Sequence, residues 1–132
     1  MLDENMDDLR LEPRIRGWYP GRVCSIVELR PQTVIKDEAV PKLLLRAKSP
    51  TFVTTNVTDY WRKQRPHARY AFVCMDLDDD SDRVSRLLQR LCRLSEFKTK
   101  AARMGKVIRV TARFVQWYAA DRRVHSLIWR TA

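Results

Sequence analysis

Glycine is scarce. The 132 residues hold three, and no glycine-rich phosphate loop can be assembled from them, which excludes a P-loop or a dinucleotide-binding fingerprint. The two histidines, His67 and His125, are too few for a histidine-rich metal centre. The three cysteines, Cys24, Cys74 and Cys92, are odd in number, widely spaced and set in apolar runs. That pattern excludes a disulfide framework and a zinc site, and predicts reduced core thiols. No apolar run reaches the roughly 18 residues of a membrane span. The acidic opening Met1-Leu2-Asp3-Glu4-Asn5 lacks the hydrophobic stretch of a secretion signal. A cytoplasmic protein with no membrane partner is therefore expected. No Ser or Cys stands near a His in a recognised nucleophile motif. With no internal repeat and no linker rich enough to split the chain, residues 1–132 are read as a single domain.

What is present is basic. The formal net charge is +10, which favours a polyanion such as RNA or DNA, or an acidic protein, as partner. The positive residues are patterned. Arg83, Arg86, Arg90 and Arg93 follow at spacings of three, four and three, which on a helix makes one stripe opposite the apolar stripe of Val84, Leu87, Leu88, Leu91 and Leu94. Glu96 is the only acid between Arg83 and Lys106. Such a ridge suits a phosphate backbone through charge and bidentate contacts, and it equally suits a solvated helix face. Among the aromatics, Trp61, followed by Arg62 and Lys63, is the candidate for stacking on a base, while Trp117 and Trp129 are read as sheet residues.

Hydrophobic patterning predicts alternating elements. Met1-Leu2 is a strand stub. Helices are expected over Asp7–Arg16, Glu38–Ala47 and Thr58–Lys63, with the clearest from Ser81 to about Phe97. Strands are expected over Val23–Leu29, Thr51–Thr55 and Tyr70–Met75, the last almost wholly apolar like a strand covered on both faces. Val107–Tyr118 and Val124–Trp129 read as two further strands joined by Ala119–Arg122 in an antiparallel hairpin. The alternation predicts an α/β domain with a mainly parallel central sheet flanked by helices. Asp76 and Asp78 to Asp80, with Asp82, crowd one turn. Ser81 stands where an EF-hand needs glycine and Leu87 where it needs its last glutamate, so the turn is read as helix-capping, with Asp80 or Ser81 as the cap.

Oxygen ligands recur at the ends of these elements. Asp3 follows the first stub, Asp37 opens a helix, and Asn56 and Asp59 follow the strand ending at Thr55. In an open α/β sheet these ends share one crevice. Carboxylates gathered there attract a hard divalent cation, which activates water and neutralises phosphate charge. The order Leu2-Asp3-Glu4-Asn5, then Lys36-Asp37-Glu38, then Phe52 to Tyr60 resembles the compact PIN-like proteins, similar to the toxin nucleases of VapBC-type toxin–antitoxin systems. The resemblance spans Leu2 to about Tyr60. It implies a PIN-type α/β fold, Mg²⁺ or Mn²⁺ as cofactor and endoribonuclease activity. It implies RNA and a cognate antitoxin as partners, with a homodimer also open. By position, Asp3 would be the first metal ligand and Asp37 the second. Asn56 or Asp59 would complete the set, with Thr54 or Thr55 assisting and Glu4 and Glu38 in reserve. Catalysis would rest on Asp3, Asp37 and Asp59. Asn56 stands where the family usually has aspartate, and an amide oxygen adds no charge. A domain that holds RNA or a protein partner without cutting is the alternative. A phosphatase-like α/β enzyme is a weaker third.

Overall fold

Every residue of Ala71–Met75 is buried, and this segment, β2, is the middle of the molecule. The computed structural model describes residues 1–3, 11–26, 39–77 and 81–129. Around β2 lie β1 (Thr51–Thr54), β3 (Val107–Val110), β4 (Phe114–Tyr118) and β5 (His125–Ile128), in one five-stranded sheet of order β1-β2-β3-β4-β5. The described helices are α1 (Leu11–Arg16), α2 (Val40–Leu44), α3 (Val57–Tyr60), α4 (Ser81–Leu91) and α5 (Lys100–Arg103).

The period of two along each strand divides the core into two layers. Val53, Val73, Met75, Ile108 and Val110 face one way, against Leu11 and Ile15 of α1 and Val84, Leu87, Leu88 and Leu91 of α4. Phe52, Phe72, Cys74 and Val107 face the other way, against Val40, Leu43 and Leu44 of α2 and Tyr60 of α3. Phe72 is the hub of that second layer. Its ring lies 5.4 Å from Phe52, 5.4 Å from Tyr60 and 5.5 Å from Tyr70, within the range of favourable aromatic pairs.

The expected mainly parallel sheet flanked by helices, with the PIN-like layout, does not hold. β1–β2 and β2–β3 are parallel, whereas β3–β4 and β4–β5 are antiparallel, so the sheet is mixed. The described helices are few and short, and among them only α4, at 11 residues, exceeds two turns. The segment 107–118, read as one strand, is two. The Thr111 hydroxyl accepts from the amides of Arg113 (3.2 Å) and Phe114 (3.0 Å), closing a side-chain turn that sends the chain back beside β3. The long helix expected to Phe97 stops at Leu91. Beyond it the Glu96 and Phe97 carbonyls accept from the Lys106 amine (2.9 Å) and the Arg103 guanidinium (3.0 Å), so tertiary partners take the place of helical ones. Of the strand expected over Val23–Leu29, only the bridge at Ser25 is seen, and residues 27–29 lie outside the described residues. So do the start of the helix expected from Asp7 and the Asp78–Asp80 part of the acidic turn. No described helix is long and apolar enough to cross a membrane.

The cysteines differ in surroundings. Cys74 is buried in β2, while Cys24 and Cys92 are half-buried. Burial first, then the Asp76 charge, against a downward pull from Arg109, pushes the Cys74 thiol up to about 12. It therefore stays protonated and unreactive at pH 8. Alkylation of the folded protein at that pH is expected to modify Cys24 and spare Cys74, as read by peptide mass, with Cys74 labelled once the chain is unfolded. Equal labelling of the two in the folded state would contradict this burial.

Candidate functional site

Asp3 is positioned by backbone ladders on both sides. Leu2 bridges in parallel to Ser25 on one side and to Val53 of β1 on the other. The Leu2 amide donates to the Cys24 carbonyl, the Ile26 amide to the Leu2 carbonyl and the Asp3 amide to the Val53 carbonyl, each at 2.8 Å. The chain passes from Leu2 to a neighbour on one side and then crosses to β1 on the other. That reversal is a topological switch point, and crevices for ligands open there at the carboxyl ends of the strands. Asp3 and Thr54 both stand at that end.

The two side chains meet. The Thr54 hydroxyl donates to Asp3 Oδ2 at 2.7 Å and accepts from the Asn56 amide at 3.0 Å. Asp3 is 7% exposed and Thr54 fully buried. Asn56 occupies the N-cap position of α3, and its side chain makes no capping bond. Tyr60, buried at the other end of α3, ties that turn into the Phe72 layer. One buried carboxylate, one hydroxyl that fixes it and one amide residue are thus brought together at a sheet end. Their donors are oxygens, the kind a hard divalent cation selects.

The remaining expected ligands divide. Asp59 belongs to α3, one turn on from Asn56. Asp37, Glu38 and Glu4 lie outside the described residues. Among the described residues no group of three or more His, Cys, Asp or Glu gathers in metal-binding reach.

The arginine stripe is partly one surface. Arg83, Arg86 and Arg90 of α4 line, with Leu87 and Ala112, a shallow groove of about 170 Å³. The Arg90 guanidinium sits 4.7 Å from the centre of the Trp129 ring, a cation–π contact that orders it. Arg93 lies past the helix end and is exposed. Trp61 is half-buried and packs against Tyr118, with ring centres 5.3 Å apart. Trp117 of β4 is held between Phe97 (5.1 Å) and His125 (5.5 Å), and Trp129 is a buried core residue just past β5.

At the acidic turn, Arg109 donates Nε and Nη2 to Asp76 Oδ2 at 2.9 and 2.6 Å. Asp82 pairs with Arg14, joining α4 to α1. Both are partly exposed ion pairs of modest worth, about 1 kcal/mol or less each.

One residue escaped the sequence reading. Arg103, one of the cations in the stretch from Lys98 to Lys106, turns inward and is 2% exposed. Thr99 caps its helix, accepting from the Ala102 amide at 3.0 Å. Nothing in composition separates Arg103 from its exposed neighbours, because its direction is set by where α5 docks. Comparison of the chain with protein-family models, curated proteins and solved structures gives no match.

Proposed function

We propose that this domain binds single-stranded RNA along the α4 arginine groove and hydrolyses its phosphodiesters at the Asp3 edge with Mg²⁺ or Mn²⁺. The observation that carries the reading is the buried Asp3 carboxylate, fixed by the Thr54 hydroxyl at 2.7 Å where the parallel strands end. Asp3, Asn56 and Asp59 would hold the ion, with Asp37 as the further ligand that the resemblance assigns. When bound, such an ion lowers the pKa of a water and offsets phosphate charge. The chain's own groups set the geometry. Thr54 holds the Asp3 carboxylate in one orientation, and Asn56 offers an uncharged oxygen. Arg83, Arg86 and Arg90 grip backbone phosphates and Arg93 extends that surface, while Trp61, packed with the layer on the other face of the sheet, offers a ring for stacking there. The toxin role and its acidic antitoxin follow from the resemblance and a cytoplasmic setting from the cysteine pattern and the acidic opening, and the net charge of +10 suits such a partner.

RNA binding without cleavage is a second reading. It is favoured by the amide at Asn56, which adds no charge, and by the engagement of one Asp3 oxygen with Thr54.

The binding half is tested by fluorescence anisotropy of a single-stranded RNA across a salt series. Replacing Arg83, Arg86 and Arg90 with Ala together is expected to weaken binding and flatten the log–log salt slope by about 2, since each phosphate contact on a single strand contributes about 0.7. An unchanged slope would place the RNA elsewhere. The cleavage half is tested by the same RNA incubated with Mn²⁺ or with EDTA. Cutting that persists in EDTA contradicts the metal-dependent reading, and no cutting with Mn²⁺ leaves the second reading.

A further inference from the structure

On the opposite edge of the sheet from Asp3, at the amino ends of the parallel strands, lies a cavity of about 570 Å³. Its floor is formed by Met1, Cys24 and Thr51, the residues that lead into the Leu2 and Ser25 bridges and β1. The volume falls within the about 300–1,000 Å³ of small-molecule sites. Arg22, Arg46, Lys48, Lys100 and Arg103 line it, and no Asp or Glu does among the described residues. Most of the remaining wall is apolar, with the Trp18 ring on one side.

Arg103 is the buried member. Its Nε donates to Thr51 Oγ1 (2.9 Å), Nη1 to the Phe97 carbonyl (3.0 Å) and Nη2 to the Tyr19 hydroxyl (2.9 Å). All three acceptors are neutral, and among the described residues no carboxylate pairs with this guanidinium. Five N–H donors fan from an arginine, so three bonds leave donor capacity over. Burying a cation without countercharge is costly, and a structural hydrogen-bonding role does not need the charge. Burial first, and then the Arg103 and Lys100 charges, hold the Met1 amine down at about 6 against an upward pull from Cys24. A strongly positive end joined to an apolar wall bearing an indole matches a ligand with a doubly charged phosphate and a flat, weakly polar body.

We propose that this cavity binds a nucleotide through a terminal phosphomonoester, with the phosphate at Arg103 and Lys100 and the base against Trp18. The source is either a free mononucleotide or the 5′-phosphorylated end of an RNA strand. Leu2, Cys24 and Val53 border both this cavity and the backbone ladder that positions Asp3, but no proposed metal ligand and no residue of the α4 groove lines it. Nucleotide binding by a protein that neither cuts RNA nor uses α4 would leave it standing.

The test is calorimetric titration of the full chain with 5′-AMP, adenosine and inorganic phosphate, and with a short RNA carrying either a 5′-phosphate or a 5′-hydroxyl. Binding of AMP in preference to both adenosine and inorganic phosphate is expected. The two RNA arms identify the source: a gain from the 5′-phosphate points to a strand end, and equal RNA affinities beside tight AMP binding point to the free nucleotide. Arg103→Gln is expected to abolish AMP binding. Because that change also loosens the Phe97 carbonyl, the exposed rim supplies independent variants. Lys100→Glu and Arg46→Glu, each a charge reversal facing the phosphate, are expected to weaken AMP about tenfold or more with the folded spectrum retained. The proposal is overturned by no measurable AMP binding, by inorganic phosphate binding as tightly as AMP, or by rim reversals that leave AMP affinity unchanged.

Discussion

Replacing Asp3 with asparagine is expected to lower Mn²⁺-dependent cleavage of single-stranded RNA about 100-fold or more, while RNA binding persists. The magnitude follows from position. Disturbing groups that merely support a metal ligand costs about 10–100-fold, and Asp3 is proposed as a ligand itself. The change is isosteric, and the new amide oxygen can still accept from the Thr54 hydroxyl that now reaches Asp3 Oδ2 at 2.7 Å. The local fold should therefore survive, which separates lost chemistry from lost structure. Single-turnover cleavage read beside circular dichroism distinguishes the two. Asp3→Asn that cuts at the wild-type rate would remove the carboxyl edge from the mechanism.

The second large effect is on stability. Phe72→Ala is expected to destabilise the fold by about 3–5 kcal/mol in urea unfolding. Phe72 is fully buried and its ring touches three others, so truncation strips both apolar burial and aromatic edge contacts from the layer that carries α2 and α3. Ile128→Ser is the control. Ile128 is 76% exposed on the last strand, and its replacement should move stability by about 0.5 kcal/mol or less. Similar losses for the two variants would mean that the second layer is not packed as described. Because Tyr60 of α3 packs on Phe72 at 5.4 Å, Phe72→Ala should also blunt function through Asn56 and Asp59, which share that short turn.

The interior strands were legible because their chemistry is local. Ala71–Met75 is apolar at each position, and Thr51–Thr54 is β-branched and aromatic, so pattern alone marks them. The sheet's sense was not legible past Val110. Thr111 closes, by its hydroxyl and by its amide bond to the Phe114 carbonyl, the reversal that turns one apparent strand into two and makes half the sheet antiparallel. Helical period likewise continues through Leu94 to Phe97, and only the later arrival of Arg103 and Lys106 at the Phe97 and Glu96 carbonyls shows why the helix ends sooner. At the candidate site, Asp3 was legible as a ligand type at a strand end, and Thr54 only as one of two threonines that the resemblance offers as assisting groups. Their meeting depends on Leu2 sitting between Ser25 and Val53, a long-range pairing that no local pattern encodes. The inward turn of Arg103 belongs to the same class, since a charged residue in a charged run carries no sign of burial.

Whether the Asp3 edge holds one divalent ion is read without recourse to activity by titrating the metal-free protein with Mn²⁺ in a calorimeter. Saturable binding of Mn²⁺ to the wild-type chain is expected, and Asp3→Asn is expected to abolish it. Mn²⁺ binding of equal strength in both proteins, or none in either, would contradict an ion held at that edge.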